Sequence, residues 1–351
     1  MTAWPQPHDG GLAFLDLVLT TLVSLRFGIG PIALLVLFAV GVELRFAQFG
    51  VGISDVPQTM RTAIDALLNG QNPYLISSTP GVQPFPYGPL SLLWYLPLHD
   101  PRLQEFAISL VLLAVLAFRG RPMGLALWAA APIVVQLASD GSNDHTAALL
   151  LLIALVVLER WPRAGALLIG IAAGFKIYAL AWLPPVLFWA GAGAFITGLI
   201  GALVVWLPAA ILWGAGNIVA AFQAADSVHK TPYYSLAEAL ARAHITVART
   251  TMDTLRLVAG ALATVGVAPF VHSHRAVVVG GAAIYIVTLY TGFWSTAAYL
   301  VPPALLLCWY IDAWLGPENS RIAWPSDPVG LISETVDERW PTVDAARIGR
   351  P

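Results

Sequence analysis

Apolar positions dominate the chain and fall into runs that approach the length of a membrane-spanning helix. The first run covers about residues 28–49, and later ones lie near residues 103–118, 122–138, 145–158, 164–175, 177–190, 194–214, 257–271, 275–292 and 296–314. A helix of about 20 apolar residues crosses the hydrocarbon core of a bilayer, where helices satisfy their backbone hydrogen bonds internally. The pattern predicts an all-α, polytopic membrane protein with about ten transmembrane helices.

The sequence divides into three predicted parts. Residues 1–27 form an N-terminal interfacial segment, residues 28–315 the transmembrane domain, and residues 316–351 a polar cytoplasmic tail. The tail carries prolines, acids and scattered arginines with few apolar residues, so we expect it to be poorly ordered.

The longest polar stretch inside the apolar domain, about residues 50–87, follows the first helix. Within it, Arg61 and Asp65 share one face of a helical pattern, and the apolar positions opposite them are Met60, Ile64, Leu67 and Leu68. This spacing predicts an amphipathic helix over residues 57–68 that lies on the membrane surface. The apolar stretch after Phe85 is interrupted near residues 97–101. It forms either two short spans with the helix that follows, or one re-entrant piece and one span.

Composition supports a membrane location and excludes several classes of function. Hydrophobic residues make up 58% of the 351 residues and charged residues only 11%, against about 25% charged in soluble domains. The net charge of −2 gives no case for nucleic acid as a partner. The single cysteine, Cys308, excludes a disulfide framework. No glycine-rich phosphate loop or dinucleotide fingerprint is present, which argues against a nucleotide as direct substrate.

The arginines predict how the protein is oriented. One pair, Arg119 and Arg121, and a second pair, Arg160 and Arg163, bracket a helical hairpin, so both turns are expected on the cytoplasmic side. Five polar regions then fall on the outer face of the plasma membrane: the Asp55 loop, residues 139–145, the neighbourhood of Lys176, residues 215–256 and residues 291–295. An active site facing outward is therefore expected.

Asp55 is the leading candidate for chemistry. It follows the first long helix in the sequence Ser54-Asp55-Val56-Pro57, in a chain that avoids charge almost everywhere. A carboxylate at the edge of a membrane cavity can act as a general base toward a hydroxyl group. Either Ser54 or Asp55 also suits a helix N-cap here, with proline in the first turn. Local sequence leaves both roles open, and they are compatible.

Lys176 is the second candidate, because it lies within about 25 apolar residues. A lysine in such a run is costly unless it faces water or an anion, and a lipid phosphate is a suitable anion. Arg61 and Lys230 are candidates for the same phosphate. The alternative for Lys176 is snorkelling from a helix end to the interface.

Further polar residues are candidates for substrate contacts. Asn143, Asp144 and His145 in the turn after Ser139 can bind a sugar, and the competing role is capping of the next helix. Divalent metal binding lacks a spaced ligand motif, so no metal or other cofactor is predicted. Tyr87 is expected to line a cavity, and His229 and Tyr234 to contact phosphate or sugar.

The segment after His229 also carries structural signals. Ser235 and Glu238 match a capping box at the start of a helix. Arg242, Arg249 and Arg256 follow at intervals of seven, so a single helix would place them on one face.

These residues together resemble the C-type (GT-C) membrane glycosyltransferases, in particular the bacterial branch that uses polyprenyl-phosphate-linked mannose or related sugars. The likeness spans about residues 28–310 and consists of several short pieces in order: Asp55, Asn69–Tyr74, Phe85–Pro89, Ser142–His145, Gly170–Tyr178 and Tyr234–Leu236. The chain departs from the family in having Gly-Ser-Asn at 141–143 where Gly-Gln-Asn is frequent, and in lacking a soluble outer domain.

The resemblance implies a GT-C-like fold whose first outer loop carries amphipathic helices and the catalytic base, here Asp55. It implies inverting transfer of a sugar from a polyprenyl-phosphate carrier to a glycolipid or polysaccharide acceptor, and mannose is the first candidate for this sugar. Lys176 would lie near the phosphate. Membrane lipids would be the remaining partners. A polytopic transporter or lipid-carrier flippase of the cell envelope is the alternative, although no convincing internal repeat supports it. A non-catalytic scaffold is a third possibility.

Overall fold

Helices form nearly all of the described structure. The computed structural model describes residues 18–19, 31–50, 54–78, 85–228 and 230–315. The predicted tail at 316–351, and the predicted interfacial segment at 1–27 except residues 18–19, lie outside the described residues. Within the described residues all regular secondary structure is helical, as predicted. The β-type pairing there is a single isolated bridge between Tyr233 and Trp294.

The α-helices of the described residues are numbered here in chain order. They are α1 (Pro31–Gln48), α2 (Val56–Leu68), α3 (Pro89–Tyr95), α4 (Pro101–Phe118), α5 (Pro122–Ala130), α6 (Pro132–Leu137), α7 (Asp144–Arg160), α8 (Pro162–Ala173), α9 (Leu183–Trp213), α10 (Ala215–Val228), α11 (Leu236–Arg242), α12 (Arg249–Val267), α13 (His274–Tyr290) and α14 (Val301–Leu315). Short 3₁₀ segments cover Pro73–Ser78, Ile177–Trp182, Ala268–Phe270 and Ala297–Leu300.

Several helices are long and apolar enough to cross a membrane. By length and composition, five helical stretches of the described residues qualify: Pro31–Gln48, Pro101–Phe118, Ile177–Trp213, Arg249–Phe270 and Ala297–Trp314. Two shorter apolar helices, α8 and α13, accompany them. These helices indicate a membrane protein, and the larger number of about ten crossings stays a prediction.

The longest helical stretch turns back on itself at Gly191. This glycine has φ +80° and ψ 176°, which interrupts α9. A Cβ added at Gly198 would overlap the side chain of Leu183, although a straight helix would hold two residues at this spacing about 22 Å apart. The two halves of α9 therefore form a hairpin, as the separate apolar segments 177–190 and 194–214 predicted.

Small residues allow α8 to pack closely against the second half of α9. A Cβ at Gly170 would overlap the carbonyl oxygen of Gly198, and one at Gly201 would overlap that of Leu167. Small residues at helix contacts let the two backbones approach, which is the usual basis of helix packing in apolar surroundings.

The two ends of the helix bundle are defined here by the two ends of α7. Its first residue, Asp144, and its last, Arg160, are separated by about 24 Å of helix. We call the end with Asp144 the polar end. The other, which we call the arginine end, carries Arg160, with Arg275 against Trp314 and His274 bonded to the carbonyl of Leu155 within α7.

The amphipathic helix α2 forms as predicted, but it rests on protein. Met60 and Ile64 are fully buried in a cluster with Tyr95 and Phe175, while Arg61 and Asp65 are exposed on the other face. The expectation that Leu68 belongs to the apolar face is wrong, since its side chain is exposed. The following helix α3 has only seven residues, too short for a span, which removes the alternative of two spans.

A buried arginine fills a break in the bundle. Pro132 begins α6 and interrupts the apolar segment predicted at 122–138. Since proline has no N–H, the carbonyl of Trp128 loses its helical donor. Arg45, fully buried on α1, donates to this carbonyl at 2.7 Å, to that of Ala129 at 3.2 Å and to the Ser109 hydroxyl at 2.7 Å. The neighbouring acid Glu43 is exposed, so the two do not act as a charge pair.

The predicted arginine face is wrong. Arg242 ends α11 and Arg249 begins α12, because the backbone leaves the helical conformation between them, with φ +61° at His244. Arg249 instead lies beside Asp226 and within 3.8 Å of Asp253.

Candidate functional site

Asp55 occupies the N-cap position of α2, yet its side chain does not cap the helix. Among the described residues, the Asp55 carboxylate accepts no hydrogen bond from a backbone N–H at the start of α2. The first N–H of α2, on Val56, is instead bonded by the Ser54 hydroxyl at 3.2 Å. Because Asp55 is also exposed, its carboxylate is available for another role. Of the two roles that the sequence left open, capping is excluded in this structure.

The loop that carries Asp55 is attached to the polar turn before α7. The N–H of Ser54 donates to the carbonyl of Asp140 at 3.1 Å, and the ring of Pro57 fills the space beside Gly141. Gly141 has φ +85° and so needs the conformational freedom of glycine. Burial raises the pKa of Asp140 to about 6, opposed by the hydrogen bond from the Ser142 N–H.

Lys176 and Asp144 form a buried ion pair at the polar end. The ammonium nitrogen lies 2.6 Å from Oδ1 of Asp144, and the exposed fractions of the two side chains are 8% and 2%. The Tyr178 hydroxyl donates to the same oxygen at 2.9 Å. Burial of a charge is costly unless it is paired, and this pair meets that need. The capping role considered for Asp144 is therefore wrong, and so is snorkelling for Lys176.

Three tyrosine rings surround the Lys176 ammonium. Its nitrogen lies 5.4 Å from the ring centroid of Tyr178, 5.6 Å from that of Tyr299 and 5.8 Å from that of Tyr87. A cation within about 6 Å of a ring face is attracted by its quadrupole. Lysine carries three N–H donors, so the contact with Asp144 leaves two directed toward this aromatic shell.

Backbone hydrogen bonds place Tyr87 beside Lys176. The N–H of Gly88 donates to the carbonyl of Phe175 at 3.2 Å, and the N–H of Leu90 to that of Gly174 at 2.9 Å. A Cβ at Gly88 would overlap the Gly174 carbonyl oxygen, so this approach requires glycine. The segment 85–90 is thereby fixed to the chain just before Lys176.

Tyr87 connects the two leading candidates electrostatically. Burial raises the pKa of its hydroxyl well above the ordinary value, and the nearby carboxylates of Asp55 and Asp144 raise it further. Its carbonyl accepts from the Tyr74 hydroxyl at 3.0 Å. The structure therefore places Asp55 and Lys176 at the same end of the bundle, with Asp55 near enough to Tyr87 to influence its pKa and Lys176 5.8 Å from its ring centroid.

The other two residues of the polar turn are buried next to this pair. Asn143 is fully buried, and neither its amide oxygen nor its amide nitrogen has a hydrogen-bond partner among the described residues. Its side chain does not cap α7, so the capping role is wrong for Asn143 as well. His145 is fully buried, with its ring 5.6 Å from that of Trp128. A buried amide gains from any partner it meets, which suits Asn143 to a sugar hydroxyl.

Glu105 is a site-forming residue that the sequence did not single out. It is fully buried on α4, and its Oε2 accepts from the Thr146 N–H at 3.0 Å. Its Oε1 accepts from the hydroxyls of Tyr95 and Thr146. Glu105 thus caps α7, the helix that carries Asp144. Glu105 could have been found from the sequence in the same way as Lys176, because it too is a charged residue in a predominantly apolar segment.

The remaining predicted residues lie at the surface or outside the described residues. Arg61 forms an exposed ion pair of 3.4 Å with Asp100, and Lys230 is exposed. Tyr234 is 41% exposed, with φ +47° and its ring 6.4 Å from that of Tyr290. His229 lies outside the described residues. None of these four is placed at the Lys176 pair by a contact between described residues.

The predicted capping box is present with a shift of one residue. The Ser235 hydroxyl accepts from the Glu238 N–H at 3.4 Å, and the Glu238 carboxylate accepts from the N–H of Tyr234. The same hydroxyl donates to the Phe293 carbonyl at 2.8 Å, so this cap also joins α11 to the segment before Tyr299.

Two further findings concern metal ligands and known proteins. Among the described residues, no group of three or more His, Cys, Asp or Glu side chains is arranged to hold a metal ion. No protein-family model, curated protein or solved structure matches the chain.

Proposed function

We propose that the protein is a membrane glycosyltransferase of GT-C type that transfers a sugar from a polyprenyl-phosphate carrier to a glycolipid or polysaccharide acceptor. Mannose is the first candidate for this sugar. The observation that carries the proposal is that an exposed carboxylate, Asp55, and a buried ammonium, Lys176, lie at the same end of the bundle, because the Asp55 loop is bonded to the turn before Asp144, the partner of Lys176. Sugar transfer from a lipid phosphate needs both a base and a positive charge.

In the proposed reaction, an acceptor hydroxyl attacks the anomeric carbon from the face opposite the phosphate. The new C–O bond forms as the bond from the anomeric carbon to the phosphate oxygen breaks, so the configuration inverts. The hydroxyl proton passes to Asp55, and polyprenyl phosphate leaves with the electron pair of the broken bond. The base must reach the acceptor oxygen, which the exposure of Asp55 at the polar end favours.

Lys176 is proposed to stabilise the leaving phosphate. Asp144 keeps this buried ammonium paired at 2.6 Å in the absence of substrate, and the two remaining donors can meet phosphate oxygens. Positive charge that is already oriented costs no reorganisation during the reaction. Asn143 and Tyr87 are proposed to contact the sugar.

The proposed arrangement in the plasma membrane has about ten crossings with the polar end facing outward. Supporting it, α7 runs between the two ends of the bundle, and the apolar stretch Ile177–Trp213 reverses at Gly191 and so runs between them twice. The arginine end would face the cytoplasm, in line with the excess of basic residues on that side of membrane proteins.

The decisive experiment measures release of polyprenyl phosphate by purified protein supplied with a panel of polyprenyl-phosphate sugars and acceptors. Asp55→Asn is expected to retain donor binding and the wild-type unfolding temperature, and to lose transfer by at least about 100-fold, the lower range for a general base. Asp65→Asn is the matched control, since Asp65 is an exposed acid on the same helix. Native transfer rates in Asp55→Asn would refute the assignment.

The same assay distinguishes the alternative of a transporter or lipid-carrier flippase. Such a protein would move the lipid-linked sugar between the leaflets of a vesicle without releasing polyprenyl phosphate. Lys176→Ala is expected to raise the donor concentration needed for half-maximal transfer. An unchanged donor dependence would remove Lys176 from the proposed site.

A further inference from the structure

A second concave site lies at the arginine end, opposite the polar end that holds Lys176. It is lined by the α7–α8 turn and by residues on both sides of the hairpin at Gly191: Arg160, Trp161, Pro162, Arg163, Ala164, Ala190 and Ala194. The two turns contact each other through Arg163, whose guanidinium would lie 3.5 Å from a Cβ at Gly193. The arginine therefore lies over the hairpin at ordinary contact distance.

The two arginines of this site differ from several other arginines of the described residues, whose guanidinium groups have partners within the protein. Arg45, for example, bonds to buried carbonyls, and Arg61 and Arg242 pair with carboxylates. Arg160 and Arg163 are exposed, and neither forms an ion pair or side-chain hydrogen bond with another described residue. Two guanidinium groups that share a concave surface without a counter-charge favour an anionic ligand, and phosphate matches their donor geometry.

Aromatic side chains at the same end indicate where this ligand comes from. Trp161, between the two arginines, is 61% exposed. Arg119 lies 4.2 Å from the ring centroid of Trp309, and Arg275 lies 4.8 Å from that of Trp314. Exposed tryptophan beside arginine is typical of the headgroup level of a bilayer, where phosphate is supplied by lipids.

We propose that the groove formed by Arg160, Trp161, Arg163 and Ala194 is a binding site for the phosphate headgroup of an acidic membrane phospholipid. The arginines bind the headgroup phosphate, and the acyl chains lie along the apolar surface of the α9 hairpin, where Phe188 and Ile196 are exposed. This site is separate from the proposed donor site at Lys176, and it does not depend on glycosyl transfer.

The test uses the full chain in neutral detergent and the single cysteine as an unfolding probe. Cys308 is the only cysteine and is 2% exposed, so a thiol-reactive fluorogenic dye reports when the fold opens. Phosphatidylglycerol is expected to raise the unfolding temperature of the wild-type protein in a saturable way, since a ligand of the folded state stabilises it. Phosphatidylcholine with the same acyl chains, and inorganic phosphate, are the comparison ligands.

The variants Arg160→Gln and Arg163→Gln should weaken the phosphatidylglycerol effect. A basic side chain near an acidic lipid surface contributes roughly fivefold to affinity, so the double variant should bind about 25-fold more weakly. Arg242→Gln, which removes an exposed arginine at the polar end, should bind as the wild type does. Circular dichroism of each variant without lipid should match the wild type, since these side chains are exposed.

Three outcomes would overturn the proposal. The first is a double variant that keeps the wild-type affinity for phosphatidylglycerol. The second is an equal shift with phosphatidylcholine, which would mean that acyl chains alone account for binding. The third is an equal shift with inorganic phosphate at the concentration of the lipid, which would make the site one for free phosphate.

Discussion

Arg45 and Pro132 should be energetically coupled, because the arginine supplies the donor that the proline lacks. In Arg45→Met the carbonyls of Trp128 and Ala129 lose donors at 2.7 and 3.2 Å in a fully buried position. Each orphaned carbonyl costs about 1–3 kcal/mol, so the variant should lose roughly 2–6 kcal/mol of unfolding free energy. The desolvation of the guanidinium, which the variant no longer has to meet, offsets part of this loss.

A double-mutant cycle separates the coupling from that offset. Pro132→Ala restores an N–H four residues after Trp128 and frees Ala131 from the constraint of a following proline. Arg45→Met should therefore cost about 1–3 kcal/mol less in the Pro132→Ala protein than in the wild type, the value of one satisfied carbonyl. The guanidinium is removed in both backgrounds, so its desolvation cancels.

The assay is equilibrium unfolding in mixed micelles, followed by circular dichroism, for the wild type, both single variants and the double variant. Arg45→Lys is a useful fifth protein, because a lysine keeps the charge but cannot reproduce the planar fork of donors; it should lie between the wild type and Arg45→Met. Costs that add within about 0.5 kcal/mol would show that the two residues act independently and would refute the reasoning.

Three further predictions concern the polar end. Gly88→Ala should cost roughly 1–3 kcal/mol of unfolding free energy, because a Cβ there overlaps the Gly174 carbonyl, whereas Gly216→Ala, where a Cβ meets open space, should be tolerated in the same thermal unfolding assay. Glu105→Gln, which replaces a buried acceptor of several donors, should lower the unfolding temperature and reduce transfer through misplacement of α7; unchanged values of both would contradict its positioning role. Asp140 has a raised pKa, about 6 in the folded protein against 3.8 in the unfolded chain. The unfolded chain therefore loses this proton at lower pH than the folded protein does. The stabilisation from Asp140 is fully present below pH 3.8 and is lost as pH rises through 6, a fall in unfolding free energy on the order of 3 kcal/mol. Asp140→Asn should abolish that decline between pH 4 and 6, and a decline that persists would assign it to another group.

Helix positions were largely predictable because hydrophobic length and periodicity are local properties. The pattern of Met60 and Ile64 against Arg61 and Asp65 located α2 to within one residue. The break between α11 and α12 was not predictable, because residues 243–248 contain no glycine or proline, and the positive φ of His244 depends on tertiary context.

Some residues of the candidate site were predictable from the sequence, but their arrangement was not. Asp144 and Lys176 were both candidates, but their ion pair joins positions 32 residues apart, and no local pattern encodes such a distance. Glu105 was missed for the same reason, since its partners on α3 and α7 are brought together only by packing. Arg61 and Lys230 were candidates because of their charge. Both side chains are exposed, and no contact between described residues joins either of them to the Asp144–Lys176 ion pair.

The backbone conformation of a single residue determines on which side of the bundle a large part of the chain continues. If residues 177–213 formed one straight rod, the chain would leave it at the arginine end. Because Gly191 adopts φ +80°, the chain returns, and Trp213 accepts a hydrogen bond of 2.8 Å from Asn72 beside the segment that holds Tyr74. The end of the bundle at which α10 begins thus follows from one torsion angle.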